Sequence, residues 1–179
     1  MRSSTTANGG FLFQAGAQFP LRLMPGAVFR AILRMTDTIA SGQSATIRLG
    51  FHSSVTSADA VNGVYLEIFS SPTLRELRFK TADNSVRTTA TVATFIINTW
   101  YHVDIEITSL ASVRCRVWTP ALTLVMDRTI TTNIPNSTRN LFAAVVATET
   151  STTAVDICHL DYAGFGLERP SELTIPTFI

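Results

Sequence analysis

Asp104 and Glu106 stand two residues apart in Tyr101-His102-Val103-Asp104-Ile105-Glu106-Ile107. On an extended strand that spacing sets two carboxylates side by side on one face. Carboxylates roughly 5–10 Å apart are the machinery of glycoside hydrolysis. Beside His102, and alternating with apolar residues, the pair reads first as the solvated outer face of a strand; the alternatives are a surface ion pair with Arg114 or Arg116 and a catalytic dyad. The three histidines, His52, His102 and His159, fall in separate segments, whereas zinc sites start from ligands close in sequence. Asp37, Asp59, Asp83, Asp104, Asp127, Asp156 and Asp161 are dispersed and form no calcium-loop pattern. Asp156 and Asp161 are the one close pair to weigh for a cation, and Asp161 reads better as an arginine partner or a turn cap. No nucleophile elbow, phosphate loop, zinc-protease motif or Cys-x-x-Cys occurs. No catalytic, cofactor or metal site is expected.

Two tryptophans remain. Trp118 shares a side of its segment with Arg114 and Arg116, and an indole beside guanidinium groups suits a stacked pyranose or a protein interface. Trp118, Arg114 and Arg116 are therefore the candidate ligand or interface residues. Trp100 reads as core packing at the start of its strand. Cys115 lies between Val113 and Val117 and reads as a buried core thiol; whether it bridges to Cys158 stays open.

The elements that must position these residues are strands. Tyr101, Val103, Ile105 and Ile107 face one way, and His102, Asp104 and Glu106 the other. The same alternation runs through Phe29 to Met35, Ile47 to His52 and Val113 to Trp118. Further strands are read at Gly10 to Ala15, Val64 to Phe69, Leu74 to Lys80, Ser85 to Thr89, Thr123 to Asp127, Asn140 to Ala147 and Val155 to Phe165. Turn signals such as Pro25-Gly26, Asn62-Gly63, Asp83-Asn84 and Thr119-Pro120 separate them. About eleven short strands with no helical periodicity predict an all-β, two-sheet antiparallel sandwich in one domain. Its bounds are read as a flexible segment 1–8, a sandwich 9–168 and a tail 169–179. The longer connections are Asp37 to Ser44, Ser53 to Asn62, Ala90 to Asn98 and Thr129 to Arg139. Loops of that length often carry function.

Composition agrees. Of 179 residues only 15% are charged, against about 25% in an average domain. The net charge is +1, which lacks the concentrated basic face that nucleic acid demands. Lys80 is the sole lysine. No apolar run reaches the ~18 residues needed to span a membrane, and no basic-then-apolar leader opens the chain. Leu173, Ile175, Phe178 and Ile179 make the tail apolar; it either packs on its own sheet or docks on a neighbouring subunit.

The order of signals resembles a known family. Gly9-Gly10-Phe11-Leu12-Phe13 opens the domain, followed by Ile47-Arg48-Leu49-Gly50-Phe51 and Asn62-Gly63-Val64-Tyr65-Leu66-Glu67. Thr99-Trp100-Tyr101-His102-Val103-Asp104-Ile105 comes next, then Ile134-Pro135, and Asp161-Tyr162 ends Ile157 to Tyr162. This is similar to the concanavalin A-like (LamG-like) jelly rolls of tailed-phage virion proteins of decoration, head-fibre or tail-fibre type. The resemblance covers roughly residues 9 to 168. It implies a non-enzymatic structural module on a virion, assembled in the host cytoplasm. It also implies a homo-oligomer, often a trimer, that contacts other virion proteins. The rival reading is a carbohydrate-binding module for host surface glycans. Glycosidases of this fold place Glu-x-Asp-x-x-Glu on one strand, and no such run occurs here.

Overall fold

A computed structural model of the chain describes residues 10–15, 21–36, 39, 41–54, 56, 58–150 and 158–167. The expected segments 1–8 and 169–179, with Leu173, Ile175, Phe178 and Ile179, lie outside the described residues, apart from the sequence read above.

The described residues form twelve strands and no helix. They are β1 (Gly10–Ala15), β2 (Ala27–Met35), β3 (Ala45–His52), β4 (Gly63–Ser70), β5 (Arg75–Asp83), β6 (Val86–Thr89), β7 (Ala93–Thr94), β8 (Trp100–Ser109), β9 (Ser112–Trp118), β10 (Leu124–Ile130), β11 (Phe142–Glu149) and β12 (Cys158–Leu167). One sheet runs β1-β11-β3-β4-β5-β6, with β7 also on β5, and the other runs β10-β9-β8-β2-β12. Every pairing is antiparallel. The architecture is a jelly-roll sandwich.

Alternation builds the core. Ile47, Leu49 and Phe51 of β3, Leu66 and Ile68 of β4, and Leu77 and Phe79 of β5 face Phe29, Leu33, Ile105, Val113, Cys115 and Val117 of the smaller sheet. Phe29 and Phe51 meet edge to face across the layers, with ring centroids 6.0 Å apart. Asn84 and Ser85, both at positive φ, close a two-residue hairpin between the paired Asp83 and Val86. Gly50 sits at φ +136°, and a Cβ there would meet the Val64 carbonyl oxygen at 2.6 Å. Only glycine lets β3 lie this close to β4 at that point.

Two readings are corrected here. The Ala90 to Asn98 connection contains the short strand β7. Trp100 is not core: it pairs across from Arg34 on the outer face, and the Arg34 guanidinium lies 5.1 Å above its ring. Its parity with His102, not with Tyr101, decides this.

Candidate functional site: the outer face of the larger sheet

The residues that alternate away from the core on β3, β4, β5 and β6 would ordinarily be solvated. Here several of them are buried. Arg48 and Glu67 are paired neighbours on β3 and β4, and Glu67 is opposite Arg78 on β5. Tyr65 is opposite Lys80. Glu67 is 3% exposed and accepts from three cations: Lys80 Nζ at 2.7 Å, Arg48 Nε at 3.1 Å and Arg78 Nη1 at 3.2 Å.

What covers them is the connection between β3 and β4. Ser53 N–H donates to the Asn62 carbonyl at 2.9 Å and closes the base of that loop. Ser54 Oγ donates to the carbonyls of Thr56 and Ala58 and curls it inward. Asp59 is thereby brought onto the sheet. It lies 3.2 Å from Arg48 Nε, 3.4 Å from Lys80 Nζ and 3.1 Å from Arg87 Nε, and accepts from Tyr65 Oη at 2.6 Å. Arg87 also holds the Ala60 carbonyl at 2.9 Å. Four cations and the carboxylates Asp59, Glu67 and Glu76 thus form one lattice across four strands and a loop.

The electrostatics follow from that enclosure. Burial alone would push the Asp59 carboxyl up. The Tyr65 hydrogen bond and the charges of Lys80, Arg48 and Arg87 outweigh it and hold Asp59 below the usual carboxylate range. Burial, then the Asp59 hydrogen bond, pushes the Tyr65 phenol well up. His52, on the same face of β3 and edge-on to Tyr65 at 5.8 Å, is lowered to about 4 by burial. Backbone of Arg48, Ser54 and Ala144 lies near the ring. Among the described residues neither ring nitrogen makes a hydrogen bond. Perturbed groups gathered on one face mark a candidate site. The rim stays open to solvent: Arg78 and Glu76 keep about a quarter of their side-chain surface. The Arg78 guanidinium lies 4.4 Å over the Phe69 ring, giving a flat platform beside fixed donors and acceptors.

The residues singled out from sequence lie on the opposite surface, the outer face of the smaller sheet. Arg116 lies 5.3 Å over the half-buried Trp118 ring. Arg114 is held by Asp127 through two contacts, at 2.8 and 2.6 Å. Asp104 and Glu106 make the ion pair that is the alternative to a solvated face, with Arg116 at 3.2 and 3.5 Å, and Arg30 also reaches Asp104 at 2.8 Å. Asp104 is not solvated as expected, since these two arginines cover it to 8% exposure. Trp118, Arg114 and Arg116 therefore share one face, but their charged groups are engaged laterally.

His52 is on the larger sheet, while His102 and His159 are on the smaller one. Arg34 donates to His159 Nδ1 at 2.9 Å. No group of three metal-ligating side chains occurs among the described residues. Asp156 lies outside them, and Asp161 sits exposed at a bulge in β12. Cys115 and Cys158 are both buried free thiols. They stand on strands three steps apart, roughly 14 Å by strand spacing, too far for a bridge.

Sequence reasoning missed the lattice. Arg48, Glu67 and Lys80 each fit an outward polar position, and nothing local tells that a loop will fold over them. The singular Lys80 was the one available signal.

The family described as SO2946-like, C-terminal domain, matches residues 1–161. No curated protein matches the sequence. Among solved structures, the protein of unknown function SO2946 from Shewanella oneidensis MR-1 superposes with a TM-score of 0.68 at 15% identity, over 92% of this chain and 66% of that one. The chain thus spans just under two thirds of that protein. The carbohydrate recognition domain of Emp46p, in its potassium-bound form, gives a TM-score of 0.60 at 6% identity, over 92% and 81% of the two chains. The CBM2 module of the evolved Dit of Lactobacillus casei BL23 phage J-1 gives 0.59 at 11%, over 92% and 74%. At such identities the likeness is one of fold: a lectin-like jelly roll.

Proposed function

We propose that this chain, which belongs to the family of SO2946-like C-terminal domains, is a non-catalytic carbohydrate-binding module. Its ligand face is the outer surface of the larger sheet. The observation that carries this reading is the ion lattice in which buried Arg48, Glu67 and Lys80 are joined to half-buried Asp59 and Arg78. Burying that many charges costs stability unless each is paired, and an apolar face would hold the fold as well. At its open rim, where Arg78 and Glu76 keep about a quarter of their side-chain surface, the lattice offers fixed donors and acceptors for hydroxyl groups, and the Arg78 guanidinium stacked on Phe69 offers a flat surface. The carboxylates are poor catalysts. A glycosidase needs one carboxyl kept protonated, and Asp59 is shifted the other way. The solved carbohydrate recognition domain and phage module of the same fold support the reading only as company.

A glycan array probed with the intact chain tests it. Saturable binding to a polysaccharide is expected, weakened at least tenfold by Arg78→Ala and unchanged by Trp118→Ala. The reverse pattern moves the site to the smaller sheet, and a folded protein that binds no glycan ends the proposal. We place the module on a virion, in contact with itself and other virion proteins. The family-like sequence signals and the phage-derived neighbour support that setting. Its apolar tail residues Leu173, Ile175, Phe178 and Ile179 are the proposed contact. Mass spectrometry of purified particles checks the setting, and removal of residues 170–179 should weaken assembly while leaving the domain folded.

A further inference from the structure

Strands β2 and β9 present four arginines on the outer face of the smaller sheet, and three of them are matched to carboxylates. Arg30 and Arg116 hold Asp104, and Arg114 holds Asp127. Arg34, the fourth, makes no ion pair among the described residues. Two rings hold it instead. It stands between Trp100 on β8 and His159 on β12, each directly opposite it in the ladder. Its guanidinium lies 5.1 Å from the centre of the Trp100 ring, and Nη2 donates to His159 Nδ1 at 2.9 Å. Arg34 Nε is buried and makes no hydrogen bond. A half-buried cation with no counter-charge and an unsatisfied donor costs stability until an anion meets it. Stacking on Trp100 also fixes the plane of the guanidinium, so its donors are set before any ligand arrives.

The surroundings narrow the class of anion. Asp104 and Glu106 follow Trp100 and His102 along the same face of β8 and oppose a run of negative charges. Asp161, exposed at the bulge of β12, does not reach Arg34. The occupant therefore brings one anionic group, and a carboxylate fits the fork of a guanidinium. An acidic peptide docks most readily along a strand edge, and β2 lies inside the sheet, between β8 and β12. The half-buried Ile32 is next to Arg34 on this face, and with the Trp100 ring it gives the apolar surface that the C–H face of a sugar ring takes.

We infer that Arg34, framed by Trp100 and His159, is a binding site for the carboxylate of a single sugar acid. The inference does not rest on the carbohydrate face of the larger sheet, which is on the opposite surface and has its own test.

Nitrogen–proton correlation spectra of the full chain, titrated with glucuronate, test it. The Arg34 Nε–H and Trp100 indole N–H signals are identified by their loss in Arg34→Lys and Trp100→Phe. Both should shift together and saturate with a dissociation constant on the order of 1 mM. Arg34→Met, read at Trp100, should weaken binding at least tenfold, because a charge-assisted hydrogen bond is lost. Arg34→Lys keeps the charge without the fork and should weaken it at least threefold. Glucose has the ring without the carboxylate, and acetate the carboxylate without the ring; each should bind at least tenfold more weakly than glucuronate. Unmoved signals, glucose equal to glucuronate, or wild-type affinity in Arg34→Met overturns the site. Acetate equal to glucuronate overturns the sugar. If Arg34→Met fails to fold, the wild-type titration and Arg34→Lys decide in its place.

Discussion

Replacing Glu67 by glutamine keeps its volume and removes one charge from the centre of the lattice. Three cations lie within 3.2 Å of its oxygens, and the residue is 3% exposed. Breaking a buried ion pair by neutralising one partner costs about 3–5 kcal/mol, because the opposite charge is left without solvent or counter-charge. Asp59 still faces Arg48 and Lys80, and Glu76 still faces Arg78, which favours the lower end, about 3 kcal/mol. For a domain of this size that lowers Tm by roughly 6–12 °C. Urea melts of the single variant, of Lys80→Met and of the double variant close a cycle. The double variant should recover part of the loss, since a neutral isosteric pair is tolerated where a lone charge is not. The control is Asp127→Asn. Its bond to Arg114 joins side chains 31% and 40% exposed and should be worth no more than about 1 kcal/mol. If Glu67→Gln costs no more than Asp127→Asn, the lattice is solvated and the reasoning fails.

Acid should destabilise the fold through His52. Its folded pKa of about 4 lies below the ordinary 6.5, so the unfolded chain binds the proton first. Stability falls as pH drops below about 6.5, reaching a loss of about 3 kcal/mol near pH 4, and His52→Phe should flatten that limb of a pH-stability curve. Burial pushes the Cys115 thiol well up, and both cysteines are enclosed. A thiol reagent should therefore titrate neither in the native protein and both in denaturant. Gly50→Ala should cost more than about 2 kcal/mol in a thermal melt, because its Cβ meets the Val64 carbonyl, and an unchanged Tm would show that β3 can relax.

The strands themselves were legible because side chains on a pleated backbone alternate with a period of two, and that period is written locally. Tyr101 to Ile107 and Val113 to Trp118 were placed on the correct faces by this rule alone, and the Asp83-Asn84 hairpin by its turn residues. Trp100 was misread through neglect of that same rule.

Alternation decides which face a residue takes, and the sequence by itself therefore determined the sandwich, its core and its polar outer positions. It says nothing of what lies above that face. Arg48, Glu67 and Lys80 look in sequence like Arg114, Arg116 and Asp127, all outward and charged. Only the tertiary structure buries the first three, because the Ser53–Asn62 loop brings Asp59 back over β3 to β6. Strand order likewise set Cys115 and Cys158 apart. Solvent access and strand adjacency are made by segments far apart in the chain, so no local pattern carries them.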